Sequence, residues 1–434
     1  MGEYSLKNAF VAQSGGPSPV INASLCGVIE ACEDYPDRIG KIYAGFNGIE
    51  GALLEELIDI GAQPREEIAL LKNTPASGVV GTCRYKLGNG QEDDFARIID
   101  VFRAHDIGYF FSIGGNDSMD TADKMSSLAR RSGLELTVAG VPKTIDNDLG
   151  DEEFTIIDHT PGYASCARYW AYLMQNADEE NRAMYTSECV SAYQAMGRKS
   201  GYITAAARLG DPERRMPLQL YFAESCHNLE TLAENVNREL SRSGRCVVVV
   251  NEGFDVGEIS EKKDGFGHIE YGASGHTAAQ AVVNYLNSVK LAARGQATGQ
   301  VPGVIQRGVS VFASTVDIDE AYLVGRHAVY TAMRDGTGYM ATILRKKGVP
   351  YEAYYDKVDL KTVANSVRYL PESWISPGGI DVTDAFLDYA SPLIGKGFPD
   401  IKIENGLQRF AHFDIRFIEK KLPAYLPARM RGGI

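Results

Sequence analysis

An α/β fold built on a parallel sheet is what the sequence predicts, and two observations carry that prediction. Short apolar runs end repeatedly in glycine turns, and behind the turns apolar residues recur at helical spacing. The first run, AFVAQ at 9–13, ends in SGGPSPVINA, after which Ile21, Leu25, Ile29 and Cys32 mark one helical face. GYFFSI at 108–113 stops at Gly114-Gly115, and Met119, Ala122, Met125 and Leu128 then recur every three residues. TVAGVP at 137–142 and RCVVVVNEG at 245–253 are the third and fourth strand candidates. In such sheets binding sites lie at the carboxyl ends of the strands, where these turns are. Residues 255–276 are polar and glycine-rich and predict a surface insertion. The Tyr- and Pro-rich stretch from about 350 is less periodic and reads as a C-terminal elaboration.

The 434 residues suffice for two or three domains with their own cores. No uninterrupted apolar run approaches the length of a membrane span, and the opening MGEYSLKNAF is not a basic-plus-apolar leader. A net charge of −13 argues against general binding to nucleic acid or membrane surfaces. It leaves room for a phosphorylated substrate held in a locally basic cleft. Seven cysteines form no CxxC pair and no metal-ligand spacing, which suggests reduced thiols and hence the cytoplasm. The seven histidines form no HExxH or zinc-finger arrangement.

SGGPS and IGGNDS let backbone amides approach an anion closely at the positive end of a helix, although such pairs also serve as plain turns. Neither a Walker A sequence nor a GxGxxG is present, which removes the usual nucleotide signatures and with them a nicotinamide dehydrogenase. GVPKTIDNDL is more informative, because it crowds Lys143, Asp146 and Asp148 behind an apolar strand. Carboxylates so placed need a metal, a lysine or a substrate proton to offset them. Asp146 is suited to take a proton from a substrate hydroxyl, and Lys143 to neutralise a polyphosphate; the bland alternative is an Asx-rich turn with a solvated lysine. Arg198, at a glycine before a helix, suits bidentate contacts to a phosphoryl group, or is a surface arginine. Arg84 and Arg307 carry the same two readings, and Glu224, closing the run LYFAE, is a candidate for sugar hydroxyls.

Taken in order, SGGPSPVINA, GTCRY, IGGNDS, PKTIDND, MGRKSGY, FAE and IQRG resemble the phosphofructokinase family, over residues 14 to about 308. The resemblance implies transfer of a phosphoryl group to the 1-hydroxyl of fructose 6-phosphate with Mg2+, on two similar Rossmann-like α/β domains with the site in the cleft between them. The implied donor domain is 1–157 with about 306–345, the sugar domain 158–305, and 346–434 the elaboration. Asp146 becomes the base, with Thr144 beside it and Asp148 close to the metal. Met196, Gly197 and Arg198 contact the sugar and the transferring phosphoryl; Glu224 takes ring hydroxyls and Arg307 the 6-phosphate. Gly15, Arg84 and Gly115 match donor contacts. ATP-using members carry Gly where Asp117 and Lys143 stand here, whereas the pyrophosphate-using branch carries Asp and Lys. Pyrophosphate is therefore the expected donor, in a reversible reaction serving glycolysis and gluconeogenesis, and a homodimer or homotetramer the expected assembly. An ATP-dependent kinase and a catalytically idle sugar-phosphate-binding regulator are the alternatives.

Five positions depart from the family. Asn116 stands where an aspartate usually binds magnesium, which predicts weaker metal binding. Val304 replaces the usual His or Tyr, and Cys189 the place of an arginine supplied across a subunit interface, so the 6-phosphate pocket needs other groups. Lys199, Arg294 and the basic segment ARMRGGI are candidates, and sedoheptulose 7-phosphate is a conceivable larger substrate. Cys26 and Glu30 hold the places of two effector-binding arginines, which predicts little control by ADP or phosphoenolpyruvate.

Overall fold

Strands whose every residue is buried need cover on both faces, and parallel strands joined by helices supply it. The computed structural model describes residues 6–85, 91–257, 277–348, 350–364 and 366–431. The chain first lays down β1 (Lys7–Gln13), β2 (Ile39–Gly45), β3 (Leu57–Asp59), β4 (Ile107–Gly114) and β5 (Thr137–Pro142). It then builds β6 (Val190–Ala195), β7 (Leu218–Tyr221), β8 (Cys246–Asn251) and β9 (Ala297–Gln300), and returns for β10 (Tyr339–Arg345) and β11 (Ala353–Asp359). Two main sheets result, in the orders β11-β10-β5-β4-β1-β2-β3 and β7-β8-β6-β9, beside a small two-stranded ribbon of Ile403–Glu404 with Leu407–Gln408. Within the two main sheets the pairing is parallel except at the two edges of the first, where β2 with β3 and β10 with β11 are antiparallel.

This topology positions the site. The chain leaves β1 toward β2 on one side, and later resumes at β4 on the other side of β1. The carboxyl ends of β1 and β4 therefore flank a switch point, where two turns diverge and leave a crevice. Gly15-Gly16 follows β1 and Gly114-Gly115 closes β4, so both turns named from the sequence meet there.

The Ile21–Glu33 helix packs directly on the Thr315–Asp335 helix. A Cβ on Gly27 would lie 2.0 Å from Tyr322 O, and one on Gly325 2.3 Å from Ser24 O, so glycine at both positions sets the backbone contact. Asp317, wholly buried on the second of these helices, accepts from Gly162 N at 2.9 Å and Ser165 N at 2.9 Å. It thereby caps the Tyr163–Met184 helix, whose inner face forms the core under the second sheet, and joins the two halves.

Past residue 346 the chain runs over both halves. After β11, Phe386, Tyr389 and Leu393 enter the core of the second sheet, whereas Ala411 and Phe413 enter that of the first. Leu422 and Tyr425 pack on the first sheet's other face. The stretch is aperiodic because it fills gaps between existing surfaces. The expected insertion at 255–276 falls, from 258 on, outside the described residues. No helix among the described residues is long and apolar enough to cross a membrane.

Candidate active site

A cleft lined by Gly15, Gly16, Arg84, Asn116, Asp117, Lys143, Asp146, Asp148, Arg198, Glu252 and Arg307 lies at the switch point. Gly115, Thr144 and Met196 also line it. Register explains the convergence. β5 pairs with β4 so that Pro142 faces Gly114, and Lys143 N donates to Gly114 O at 3.0 Å. The Lys143 side chain then crosses the mouth of β4 and donates from Nζ to Gly16 O at 2.7 Å. A Cβ on Gly15, where φ is +80°, would come within 3.2 Å of that ammonium, so the bare backbone makes room for it.

Asp117 sits in the first turn of the Asn116–Arg131 helix, where the exposed amide ends favour negative charge. Asn116 uses both ends of its amide: Nδ2 donates to Ser366 O at 2.7 Å and Oδ1 accepts from Asp117 N at 3.0 Å. The Thr144–Asp148 loop is a reversed turn. Asp146 N donates to Thr144 Oγ1 at 3.1 Å, and Asn147 adopts a left-handed φ of +56°, which splays its two aspartate neighbours. Arg198, also left-handed at φ +53°, approaches from the second half to put Nε 3.8 Å from Asp146 Oδ2.

Charge is crowded in this cleft. Burial lowers Lys143 to about 7, Asp146 opposes that shift, and the nearby Arg307, Arg198 and Arg84 add to it. Burial likewise lowers Arg307, with Arg84 contributing. Burial raises Asp148 to about 6, reinforced by Asp146, and raises Glu252 to about 7, again with Asp146 contributing. Four cations (Arg84, Lys143, Arg198 and Arg307) and four carboxylates (Asp117, Asp146, Asp148 and Glu252) thus share one cleft. Such a site suits a polyanion arriving with a metal. Among the described residues no group of three or more His, Cys, Asp or Glu side chains is arranged to hold a metal by itself. Asp148, Asp117 and the Asn116 amide offer oxygen ligands, which suits a hard cation that completes its shell with phosphate oxygens and water.

The structure places the two glutamates differently. Glu224 does not line the cleft: its Oε1 accepts from Gly201 N at 2.8 Å and Leu370 N at 2.9 Å. Glu252, not singled out in the sequence, does line it. Glu224 lies three residues past β7, whereas Glu252 directly follows β8, which is paired with β6 so that Asn251 faces Ala195. That register sets Glu252 under the Met-Gly-Arg turn, where Oε1 accepts from Gly197 N at 3.1 Å and Arg198 N at 2.8 Å. Gln306 Oε1 holds the same turn through Met196 N at 3.0 Å.

The supplementary cations expected from the sequence are not brought here. Lys199 and Arg294 are exposed and outside the lining. Arg429 pairs with Glu50 at 2.6 Å and Arg431 with Asp93 at 3.0 Å, on the outer side of the first half. Cys189 is fully buried at the start of β6, with its sulfur toward Gln296 O. Away from the cleft, Cys26 is buried against Ile68 O and Glu30, and Glu30 bonds the Tyr322 hydroxyl. Packed apolar and paired groups therefore occupy the region where effector-binding arginines were looked for.

Residues 8–332 match the family model described as Phosphofructokinase. The chain is 40% identical to the pyrophosphate–fructose 6-phosphate 1-phosphotransferase of Halomonas elongata, covering 96% of this chain and 99% of that one. Among solved structures it is similar to the pyrophosphate-dependent phosphofructokinase of Marinobacter aquaeolei, with TM-score 0.85, 38% identity, and coverage of 97% of this chain and 100% of that one. It is likewise similar to the enzyme of that description from Nitrosospira multiformis, with TM-score 0.87, 36% identity, and 97% and 100% coverage.

Proposed function

The chain belongs to the phosphofructokinase family, and on that premise we propose that it transfers a phosphoryl group reversibly from pyrophosphate to the 1-hydroxyl of fructose 6-phosphate. The products are fructose 1,6-bisphosphate and phosphate. The observation that carries the donor assignment is the pair Asp117 and Lys143 in one cleft, a carboxylate at the helix end beside a buried ammonium. Initial rates with fructose 6-phosphate and magnesium, comparing pyrophosphate with ATP at equal concentration, test it. Turnover with pyrophosphate alone is expected; turnover with ATP alone overturns the donor assignment.

In this reading residues 1–157 with about 306–345 bind the donor and 158–305 the sugar phosphate. Asp146 accepts the 1-hydroxyl proton, and Arg198, drawn toward it from the sugar side, meets the equatorial oxygens of the passing phosphoryl. Arg84 and Lys143 hold the pyrophosphate against the Gly15 and Gly115 turns, and Arg307 takes the 6-phosphate. Asp148 and the Asn116 oxygen would hold Mg2+, which would supply charge neutralisation to the phosphate oxygens. The chain assembles as a homo-oligomer, consistent with the exposed Val301, Val304 and Ile305 beside the site.

Glu252, rather than Glu224, binds the sugar in this reading. Glu252→Gln keeps an acceptor for the Gly197 and Arg198 amides and removes the charge, so at pH 8, above the value of about 7 to which burial raises Glu252, kcat/KM for fructose 6-phosphate is expected to fall by about 10- to 100-fold, the worth of a charged hydrogen bond. Glu224→Gln keeps its acceptor for Gly201 and Leu370, and a change below about threefold is expected in the same steady-state assay.

Lys143 makes donor binding pH-dependent. Free, it titrates near 7; beside bound pyrophosphate its value rises. Between the two values the complex holds more protons than the free protein, so binding takes up a proton and weakens as pH rises through that window. Below 7 the dependence vanishes. Calorimetry of pyrophosphate binding at pH 8 in buffers of different ionisation enthalpy is expected to show net uptake; release at pH 8 contradicts the assignment.

A further inference from the structure

Arg368 is 0% exposed, yet all its side-chain hydrogen bonds end on neutral oxygens. Nε donates to Asn147 O at 3.0 Å and Nη2 to Asn147 Oδ1 at 2.7 Å. Nη1 donates to Ile157 O at 2.7 Å and, more weakly, to Asp158 O at 3.3 Å. The guanidinium lies over the Phe154 ring at 4.6 Å, and the backbone N of Arg368 donates to Asp148 O at 2.7 Å. Burying a full charge without a direct counter-ion costs several kcal/mol. What the arrangement secures is the one left-handed residue between the two cleft aspartates, fixed from both its carbonyl and its side chain.

The segment that carries Arg368 also crosses between the two halves of the molecule. On the donor side Ser366 O accepts from Asn116 Nδ2, and Ser366 Oγ accepts from Gly150 N at 3.2 Å. On the sugar side Tyr202 Oη donates to Tyr369 O at 3.1 Å, Ser200 Oγ to Arg368 O at 3.3 Å, and Leu370 N to Glu224 Oε1 at 2.9 Å. Ser200 and Tyr202 lie two and four residues after Arg198 in the chain. One short strap therefore grips the Asp146–Asp148 turn with one hand and the end of the Met-Gly-Arg turn with the other.

We propose that Arg368 is a positioning residue for phosphoryl transfer: its buried fork fixes the Asp146–Asp148 turn, and residues 366–370 set that turn against Arg198. The proposal rests on the reaction assigned above. A lysine cannot substitute, because one ammonium does not span the Asn147 carbonyl, the Asn147 amide and the Ile157 carbonyl at once. Misplacing reacting groups by about 1 Å costs on the order of a hundredfold in rate.

The test uses the full chain. Arg368→Lys is expected to lower kcat in both directions by about a hundredfold, with both KM values within about threefold and fructose 6-phosphate still bound at one per chain. Tyr202→Phe cuts one bond of the strap without disturbing the buried charge, and a loss of the same kind but below about tenfold is expected. A folded Arg368→Lys chain that turns over within twofold of the wild type overturns the proposal. So does a loss that merely tracks a fall in binding stoichiometry, since that marks a structural role. A wild-type chain inactive in the same assay takes down the reaction assignment, and this inference with it, which separates the two failures.

Discussion

Replacing Asp146 with asparagine is expected to cut kcat about a thousandfold in both directions while leaving the KM for fructose 6-phosphate within a few-fold. Asparagine keeps the shape, and its amide can still bond the 1-hydroxyl, so ground-state binding survives. What disappears is the acceptor for the proton going forward and its donor in reverse. The neighbouring charges shape the measurement. Asp146 is the group that most opposes the downward shift of Lys143, so the variant releases the Lys143 proton at lower pH and binds pyrophosphate less well above 7. Rates should therefore be compared at saturating donor, whose negative charge raises Lys143 in both proteins. Asp148→Asn supplies the contrast. That carboxylate is already shifted upward by burial, with Asp146 adding to the shift, and its assigned work is toward the metal. Extra magnesium is expected to recover part of the Asp148→Asn loss and none of the Asp146→Asn loss. Recovery of Asp146→Asn by metal, or a kcat within tenfold of wild type, would remove Asp146 from the role of base.

Much of this architecture was legible because its chemistry is local in the chain. CVVVV is apolar throughout and GYFFSI is apolar but for Ser112, and both became wholly buried parallel strands, β8 and β4. β6, VSAYQA, is equally buried but was not singled out. Its polar residues are satisfied at a distance: Ser191 accepts from Asn181 Nδ2, and Gln194 Oε1 from Ala279 N. The glycine turns and the Lys143–Asp148 loop were readable because each is a contiguous stretch placed at a strand end. Glu252 and Glu224 show where that reading stops. Both follow strands, and only the pairing of β6 with β8 decides which one faces the cleft. Arg368 lies further out of reach. It sits in an aperiodic tail, and its partners are more than 200 positions away in the chain. No local pattern encodes such a contact.

Donor choice offers the second large effect. Asp117→Gly combined with Lys143→Gly is expected to shift the ratio of kcat/KM for ATP over that for pyrophosphate by about a thousandfold. The reasoning begins at the end of the Asn116–Arg131 helix, whose free amides favour one anion. Asp117 already takes that place with its own carboxylate. An ATP α-phosphate would have to share it, and two unit charges about 4 Å apart repel by roughly 4 kcal/mol at a surface-like dielectric. That is close to three powers of ten in kcat/KM. Pyrophosphate ends before that point and meets no such repulsion. Lys143 acts from the opposite side: its ammonium, tied to Gly16 O, adds a positive charge within reach of a short donor and occupies the space beside Gly15 that a longer one needs. Asp117→Gly alone should therefore admit ATP while keeping most pyrophosphate turnover. Lys143→Gly alone should lose pyrophosphate turnover without admitting ATP, because the Asp117 charge still stands at the helix end. The double variant should do both. If the single variants instead change the two donors in parallel, the pair contributes only to the general field of the cleft, and selection must lie in the shape of the Gly15 and Gly115 turns.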